Sequence, residues 1–266
     1  MAHESLKLLE RAAPRREATV RLIGEELFAT LALRMPSGLL APSVHVLATI
    51  EGGHVEVREQ PTRRRYPEAC YDRHIMPDGK FCLAYHADID IGVISAENAA
   101  GWWAALVKFV LLQEAAEVTD EWPAAQEIDH GRGGAGLQMR SEVAAAAIGP
   151  TVAGIVRNKD FRVAETTHGK RTHLTLFIDG GIAMRCEDGG RLLGIDRPCL
   201  CGSGQPLVTC GSHAKAAKEL LALLAARERF RLGFFKMAAE DGQRCCGRLR
   251  RCGLRNVEGK ATYTIA

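Results

Sequence analysis

"MPDGKFCLAYH", residues 76–86, sets a single cysteine just past a sharp turn. Asp78–Gly79 is a strong turn-forming dipeptide, because glycine takes the positive φ that such turns require at no steric cost. Cys82 follows it, with His74 shortly before and His86 shortly after. Three readings of the thiol stand at this point: a buried structural group, a metal ligand, or a nucleophile. A thiol is the most nucleophilic common side chain near neutral pH, provided it is partly exposed and burial does not raise its pKa. Lys80 on the same turn favours the thiolate. His86 and Asp88 are nearby candidates for acid–base work beside the thiol.

Upstream, "SLKLLERAA" (residues 5–13) predicts a short helix capped by Ser5 and ended by Pro14. "ATVRLI" and "LFATLALRMP" alternate apolar and polar residues as half-buried strands do. "PSVHVLATIEGGHVEVREQ" predicts a hairpin turning at Glu51–Gly52–Gly53. "PTRRRYPEACYDRHIMPDGK" is irregular, with a basic cluster at Arg63–Arg65. Downstream, "SAENAAGWWAALVKFVLLQEAAE" predicts a helix capped by Ser95. There Trp102, Trp103, Leu106, Phe109, Val110 and Gln113 recur at helical spacing, as core rather than as a binding surface.

The order of helix, antiparallel strands, irregular loop with a Gly-Lys-x-Cys turn, and helix resembles the ubiquitin-conjugating enzymes. "LFATLALRMPSGLLAPSVHVLAT" is similar to that family's strand, proline-bearing turn and strand, "RHIMPDGKFCLA" to its cysteine loop, and "WWAALVKFVLLQ" to the helix that follows. The resemblance covers about residues 1–148. It implies that Cys82 carries a ubiquitin-like protein as a thioester, received from an activating enzyme and passed to an acceptor amine on an undetermined target. The chain departs from the family at His74, where the His-Pro-Asn sequence lacks its Pro and Asn, and the stretch from about 52 to 71 looks inserted. The Asn is the family's oxyanion stabiliser; backbone N–H groups near Cys82, or His74, are the candidates to replace it. Such divergence resembles the bacterial members that accompany an activating enzyme and a modifier in antiphage operons. A papain-like pair of Cys82 with His86 or His130 is the competing enzyme reading, but no such signature surrounds Cys82.

The second half is less uniform. "SEVAAAAIG" predicts a short helix closing near Gly149–Pro150, where the domain boundary is expected. "TVAGIVRNKDFRVAET" and "RTHLTLFIDGGIAMRCE" predict strands, and "HAKAAKELLALLAARERFRLGFFKMAAED" a long amphipathic helix broken at Gly233. "GRGGAG" (131–136) fits G-x-G-x-x-G, yet the polar "AAQEIDH" before it is no buried strand. A surface loop is expected there rather than a phosphate cradle.

The chain holds nine cysteines. Only Cys70 and Cys82 precede Cys186, and Cys70 reads as a packing residue. "RPCLCGSGQPLVTCGSH" sets Cys199, Cys201 and Cys210 around a glycine-rich turn and resembles the SEC-C zinc motif. Thiolates and an imidazole suit tetrahedral zinc. The resemblance implies zinc on Cys199, Cys201 and Cys210 with His213 as fourth ligand; Asp196 and Cys186 are the alternatives. "RCCGRLRRCG" (244–253) adds Cys245, Cys246 and Cys252 among arginines. It reads as a solvated basic end, with a second metal or an acidic partner as the other possibilities.

Composition sets the limits. With 266 residues, 47% hydrophobic and 25% charged, the chain is globular, and a net charge of +3 is too small to imply nucleic-acid binding. No apolar run reaches the ~20 residues of a membrane span, and the N-terminus lacks a signal-peptide core. A cytoplasmic protein with reduced, metal-bound or catalytic cysteines is therefore expected. The expected architecture is α+β: a ubiquitin-conjugating-like antiparallel sheet with flanking helices over residues 1–148, then a zinc-containing domain over 149–266. The rival function is a zinc-stabilised module for protein or nucleic acid beside an inactive scaffold.

Overall fold

The computed structural model describes residues 2–14, 16–83, 93–123, 129–169, 171–187, 190–194, 197–211 and 213–258. Contacts divide the chain into two units. The first is Met1–Pro123 with Gln243–Arg255, and the second is Ala124–Gly242 with Asn256–Ala266. Residue 148, the expected boundary, lies within the second unit rather than at its edge.

The first unit opens with α1 (Ala2–Ala12) and a meander of four antiparallel strands, β1 (Ala18–Ile23), β2 (Glu26–Leu31), β3 (Val44–Glu51) and β4 (His54–Glu59), in spatial order β1-β2-β3-β4. The β3–β4 register closes on the pair Glu51–His54, leaving Gly52 and Gly53 as a two-residue turn with φ of 58° and 87°. Positive φ at both central positions is what the primed hairpin turns require, so the Gly-Gly pair dictates the hairpin. Alternation along the strands turns Leu27, Ala29, Leu31, Val55 and Val57 into the core.

Helix α2 (Ala96–Thr119) covers that core. It starts where expected, with the Ser95 hydroxyl accepting the Asn98 amide. Its Trp102, Trp103, Leu106, Phe109 and Val110 pack with Leu6 and Leu9 of α1, and the Trp103 indole donates to the Leu9 carbonyl at 2.8 Å. A fully buried leucine contributes about 1.5–3 kcal/mol. Leu106 is 0% exposed, so the helix stripe legible in the sequence is the main adhesive of this unit.

The second unit holds α3 (Gly131–Ala146), α4 (Pro150–Arg157), a second antiparallel sheet of β5 (Arg162–His168), β6 (Arg171–Ile178), β7 (Gly181–Glu187) and β8 (Leu192–Leu193), and α5 (His213–Glu240). Three expectations fail here. The stretch from residue 151, expected as strand, first forms α4, with Pro150 in its opening turn, and only from Arg162 enters β5. The glycine run is no surface loop but the start of α3. A Cβ on Gly133 would stand 2.5 Å from Phe230 Cε2, and one on Gly134 3.1 Å from Asp129 Cβ. The glycines are there so that α3 can approach α5 closely. Nor is α5 broken at Gly233; it runs through all 28 residues. Buried Asp129 joins these elements, accepting from Arg227 and from Lys159 at 3.2 Å. A short helix, α6 (Gly253–Glu258), follows the segment that returns to the first unit. No helix of the described residues is long and apolar enough to cross a membrane.

Candidate active site and metal centre

Cys82 lies on the chain between β4 and α2. The stretch from Cys70 to Cys82 is a loop folded on itself by backbone bonds. Cys70 and Ile75 exchange a pair at 2.9 and 3.0 Å, the Met76 carbonyl accepts the Gly79 amide at 2.8 Å, and the Phe81 amide bonds to Val57 of β4 at 2.8 Å. Gly79 has φ 79°, as the Asp-Gly turn requires. Phe81 is buried and stacks on Phe109 of α2 at 4.6 Å between ring centroids. The loop is thus fastened to both sheet and helix immediately before the thiol.

A buried polar network, missed in the sequence, completes the fastening. Arg73 is 0% exposed. Its guanidinium donates to the Gln113 side chain at 2.7 Å and to Glu117 at 2.5 Å, while the Gln113 amide returns a bond to the Arg73 carbonyl at 2.7 Å. Next to it, Tyr66 donates to Glu114 at 2.6 Å and Arg65 grips Glu114 with two bonds. The signal was present: Gln113 is a polar residue inside an otherwise apolar helical stripe, which is affordable only with a buried partner.

The thiol itself is half-buried. Desolvation, and then the negative charge of Glu56, push its pKa up from the ordinary value. Lys80 does not offset this as expected. Its ammonium is held by Asp78 and Glu51, each at 2.8 Å, so its charge is already matched. His74 is buried in the left-handed region at φ 56°, its ring 5.5 Å from that of Trp122. The Cys82 amide donates to the His74 carbonyl at 2.8 Å, which takes that N–H away from any oxyanion. His86 and Asp88 lie outside the described residues. His130 belongs to the second unit, stacked on Phe234 at 4.9 Å, where burial drives its pKa down to about 4.

The second unit gathers Cys199, Cys201, Cys210 and His213. Their ligand atoms all lie within 4.8 Å of one another. Cys201 Sγ is 3.7 Å from Cys210 Sγ, and His213 Nδ1 is 3.5 Å from Cys199 Sγ and 3.3 Å from Cys210 Sγ. Tetrahedral zinc, with bonds of about 2.3 Å to sulfur and 2.0 Å to nitrogen, implies edges of about 3.8 and 3.5 Å. The donor set and spacing therefore fit a metal ion. Positive φ at Gly202, Gly204 and Gly211 lets the chain double back between ligands. His213, the first residue of α5, ties the turn to the helix. Cys186 is instead in the core of the unit on β7, and Asp196 is outside the described residues.

One further expectation is extended and another overturned. Cys70 is buried as expected of a packing residue, and it also stands against another thiol, its Sγ 3.1 Å from Cys246 Sγ. The segment 244–253 is not a solvated end. Arg248 donates to the Arg65 carbonyl at 2.6 Å and pairs with Glu117 at 3.2 Å, the Arg250 amide donates to Asp120, and Cys252 and Leu254 are buried.

Comparison with protein families gives two matches. Residues 17–124 match the model of the prokaryotic E2 domain, and residues 129–254 that of a cysteine-rich domain C-terminal to the E2 domain. No curated protein and no solved structure matches. The two families in this order make the chain consistent with a bacterial E2-like protein, with a conjugating role as their common implication.

Proposed function

We propose that the chain accepts a ubiquitin-like protein from an activating enzyme as a thioester on Cys82 and passes it to an acceptor amine, in bacterial antiphage defence. The observation that carries this reading is the contrast between the two cysteines of the E2-matching stretch. Cys70 is buried at 3% exposure against another thiol, whereas Cys82 keeps partial exposure on a loop anchored to sheet and helix. Only the second offers sulfur to a macromolecular donor.

In the first step the Cys82 thiolate attacks the carbonyl of the modifier's thioester on the activating enzyme. The new C–S bond forms as the old one breaks, and the departing thiol takes up a proton. In the second, an acceptor amine attacks the same carbonyl, the Cys82 thiolate leaves, and the ammonium nitrogen loses its proton. Both attacking and leaving groups in the first step are thiols, so little proton machinery is needed. His74 serves by ordering the loop, and the ring of His86 is assigned to orienting the amine.

In the second unit, the reading places zinc on Cys199, Cys201, Cys210 and His213. When bound, the ion fixes the glycine turn to the start of α5; it takes no part in the transfer.

Incubation with activating enzyme, modifier and ATP tests the proposal. A conjugate that disappears under reductant is expected. Cys82→Ser converts it to a reductant-resistant ester or abolishes it, while Cys70→Ser leaves its chemistry unchanged. Full conjugate on Cys82→Ala would sink the assignment, and no conjugate at all on the native chain would favour the binding-module reading.

A further inference from the structure

Thiols of Cys70, Cys246 and Cys252 interact where the returning segment reaches the cysteine loop, with Cys245 adjoining Cys252. Cys246 Sγ is 3.1 Å from Cys70 Sγ. Cys252 interacts with both, and Cys245 with Cys252. Cys70 and Cys252 are 3% and 2% exposed.

Three features go beyond proximity. The first is the backbone. In the cluster of the second unit, Cys199 and Cys201 each accept the amide of the residue two positions on. The same geometry recurs here: Gly247 N–H donates to Cys245 Sγ at 3.4 Å and the Arg248 amide to Cys246, while Cys252 accepts from Arg255. Amides aimed at sulfur stabilise thiolates and orient metal ligands. The second is sequence. Cys201, Cys210, Cys246 and Cys252 are each followed by glycine, and Gly202, Gly211 and Gly247 all have positive φ. The third is charge. Arg255, which donates to the Gly247 carbonyl at 3.2 Å, interacts with Cys245, and Arg73 with Cys246. Four thiolates around a divalent ion leave a net double negative charge that such neighbours offset, whereas four neutral thiols would gain nothing from them.

We propose that Cys70, Cys245, Cys246 and Cys252 form a second metal centre, a tetrathiolate site for zinc, that staples residues 243–255 to the loop leading into Cys82. Binding replaces the thiol protons by the ion, releasing up to four protons into solution with no change of oxidation state. Asp72, which accepts the Gly253 amide at 2.8 Å, holds the last ligand's turn in place from outside. The site does not depend on the conjugation reading, and neither family match assigns it.

The test uses the full chain, purified with reductant and without chelator. Metal analysis is expected to find two zinc ions per chain. Cys70→Ser and Cys252→Ser each lower this to one, Cys201→Ser lowers it to one by emptying the other site, and Cys70→Ser with Cys201→Ser leaves none. Because a variant can fail to fold, alkylation of the native chain is followed by peptide mass in parallel. Cys245, Cys246 and Cys252 should react at least tenfold faster after chelation. A single zinc that Cys201→Ser removes, thiols that react alike with and without chelator, or a Cys70–Cys246 disulfide persisting under reductant would each overturn the proposal.

Discussion

Cys82 and His74 are joined by one backbone hydrogen bond, 2.8 Å from the amide of the first to the carbonyl of the second. It is a bond between main-chain atoms, so it survives any change of the His74 ring. The ring, buried against Trp122, instead sets the shape of the loop. His74→Ala is therefore expected to destabilise the first unit by about 1–3 kcal/mol. It should slow loading of Cys82 and discharge to amines by similar factors, measured as separate single-turnover steps. Discharge slowed alone would reassign the ring to the amine step.

The pH dependence of loading follows from the direction in which Cys82 is shifted. Burial and Glu56 raise its pKa above the ordinary thiol value, so near neutral pH the reactive thiolate is a small fraction. Loading should climb about tenfold per pH unit from pH 7 to 8.5, since the thiolate fraction does so below the pKa. Glu56→Gln removes the repelling charge and should move the profile toward lower pH. A plateau below pH 8 in the native chain would contradict this.

Cys201→Ser should remove one metal ion and lower the thermal stability of the second unit, because binding energy at such a site is folding energy. Substitution separates the two cysteine clusters where a chelator would strip both. Loading of Cys82 is expected to persist in this variant, as read by a reductant-sensitive conjugate.

Asp129 gives the second unit an acid-sensitive component. Burial alone would raise its carboxyl, but the Arg227 hydrogen bond and the charges of Lys159 and Arg227 override it and hold the group below its ordinary value. A depressed carboxylate contributes stability that is complete above the unfolded pKa and is lost as pH falls through the folded one. Unfolding free energy should therefore drop below about pH 4. Asp129→Ala strands Arg227 and should cost about 3–5 kcal/mol at pH 7, with a flatter acid limb.

Gly133 is a test of close helix packing. Alanine would gain about 1 kcal/mol of helix propensity but set its Cβ against the Phe230 ring. Gly133→Ala is expected to destabilise the native chain and to stabilise one already carrying Phe230→Ala. A double-mutant cycle with no coupling would remove the steric role.

Local rules made the first unit legible. The Gly52–Gly53 hairpin, the Ser95 cap and the Trp102–Val110 stripe all follow from residues adjacent in sequence or spaced along one element. The clustering of Cys199, Cys201, Cys210 and His213 was legible for the same reason. What was not legible depends on partners distant in the chain. Arg73 carries no mark in the sequence, because its partners Gln113 and Glu117 lie 40 and 44 positions on. Gly133 and Gly134 looked flexible because Phe230, the residue they make room for, lies far along the chain. Cys70 and Cys246, 176 positions apart, carried no shared spacing to read.

The main chain leaves the first unit after Pro123 and returns to it at Gln243. The consequence falls on synthesis. At ribosomal rates of about 5–20 residues per second, the sheet and α2 wait roughly 7–26 s for the segment that closes over Cys70. During that interval the nascent first unit leaves Cys70 uncovered, while the inserted unit is still emerging. Maturation of the thiol-bearing loop is thereby placed after translation of the unit that interrupts it, so a chain cut short within the insertion would lack the segment that covers Cys70.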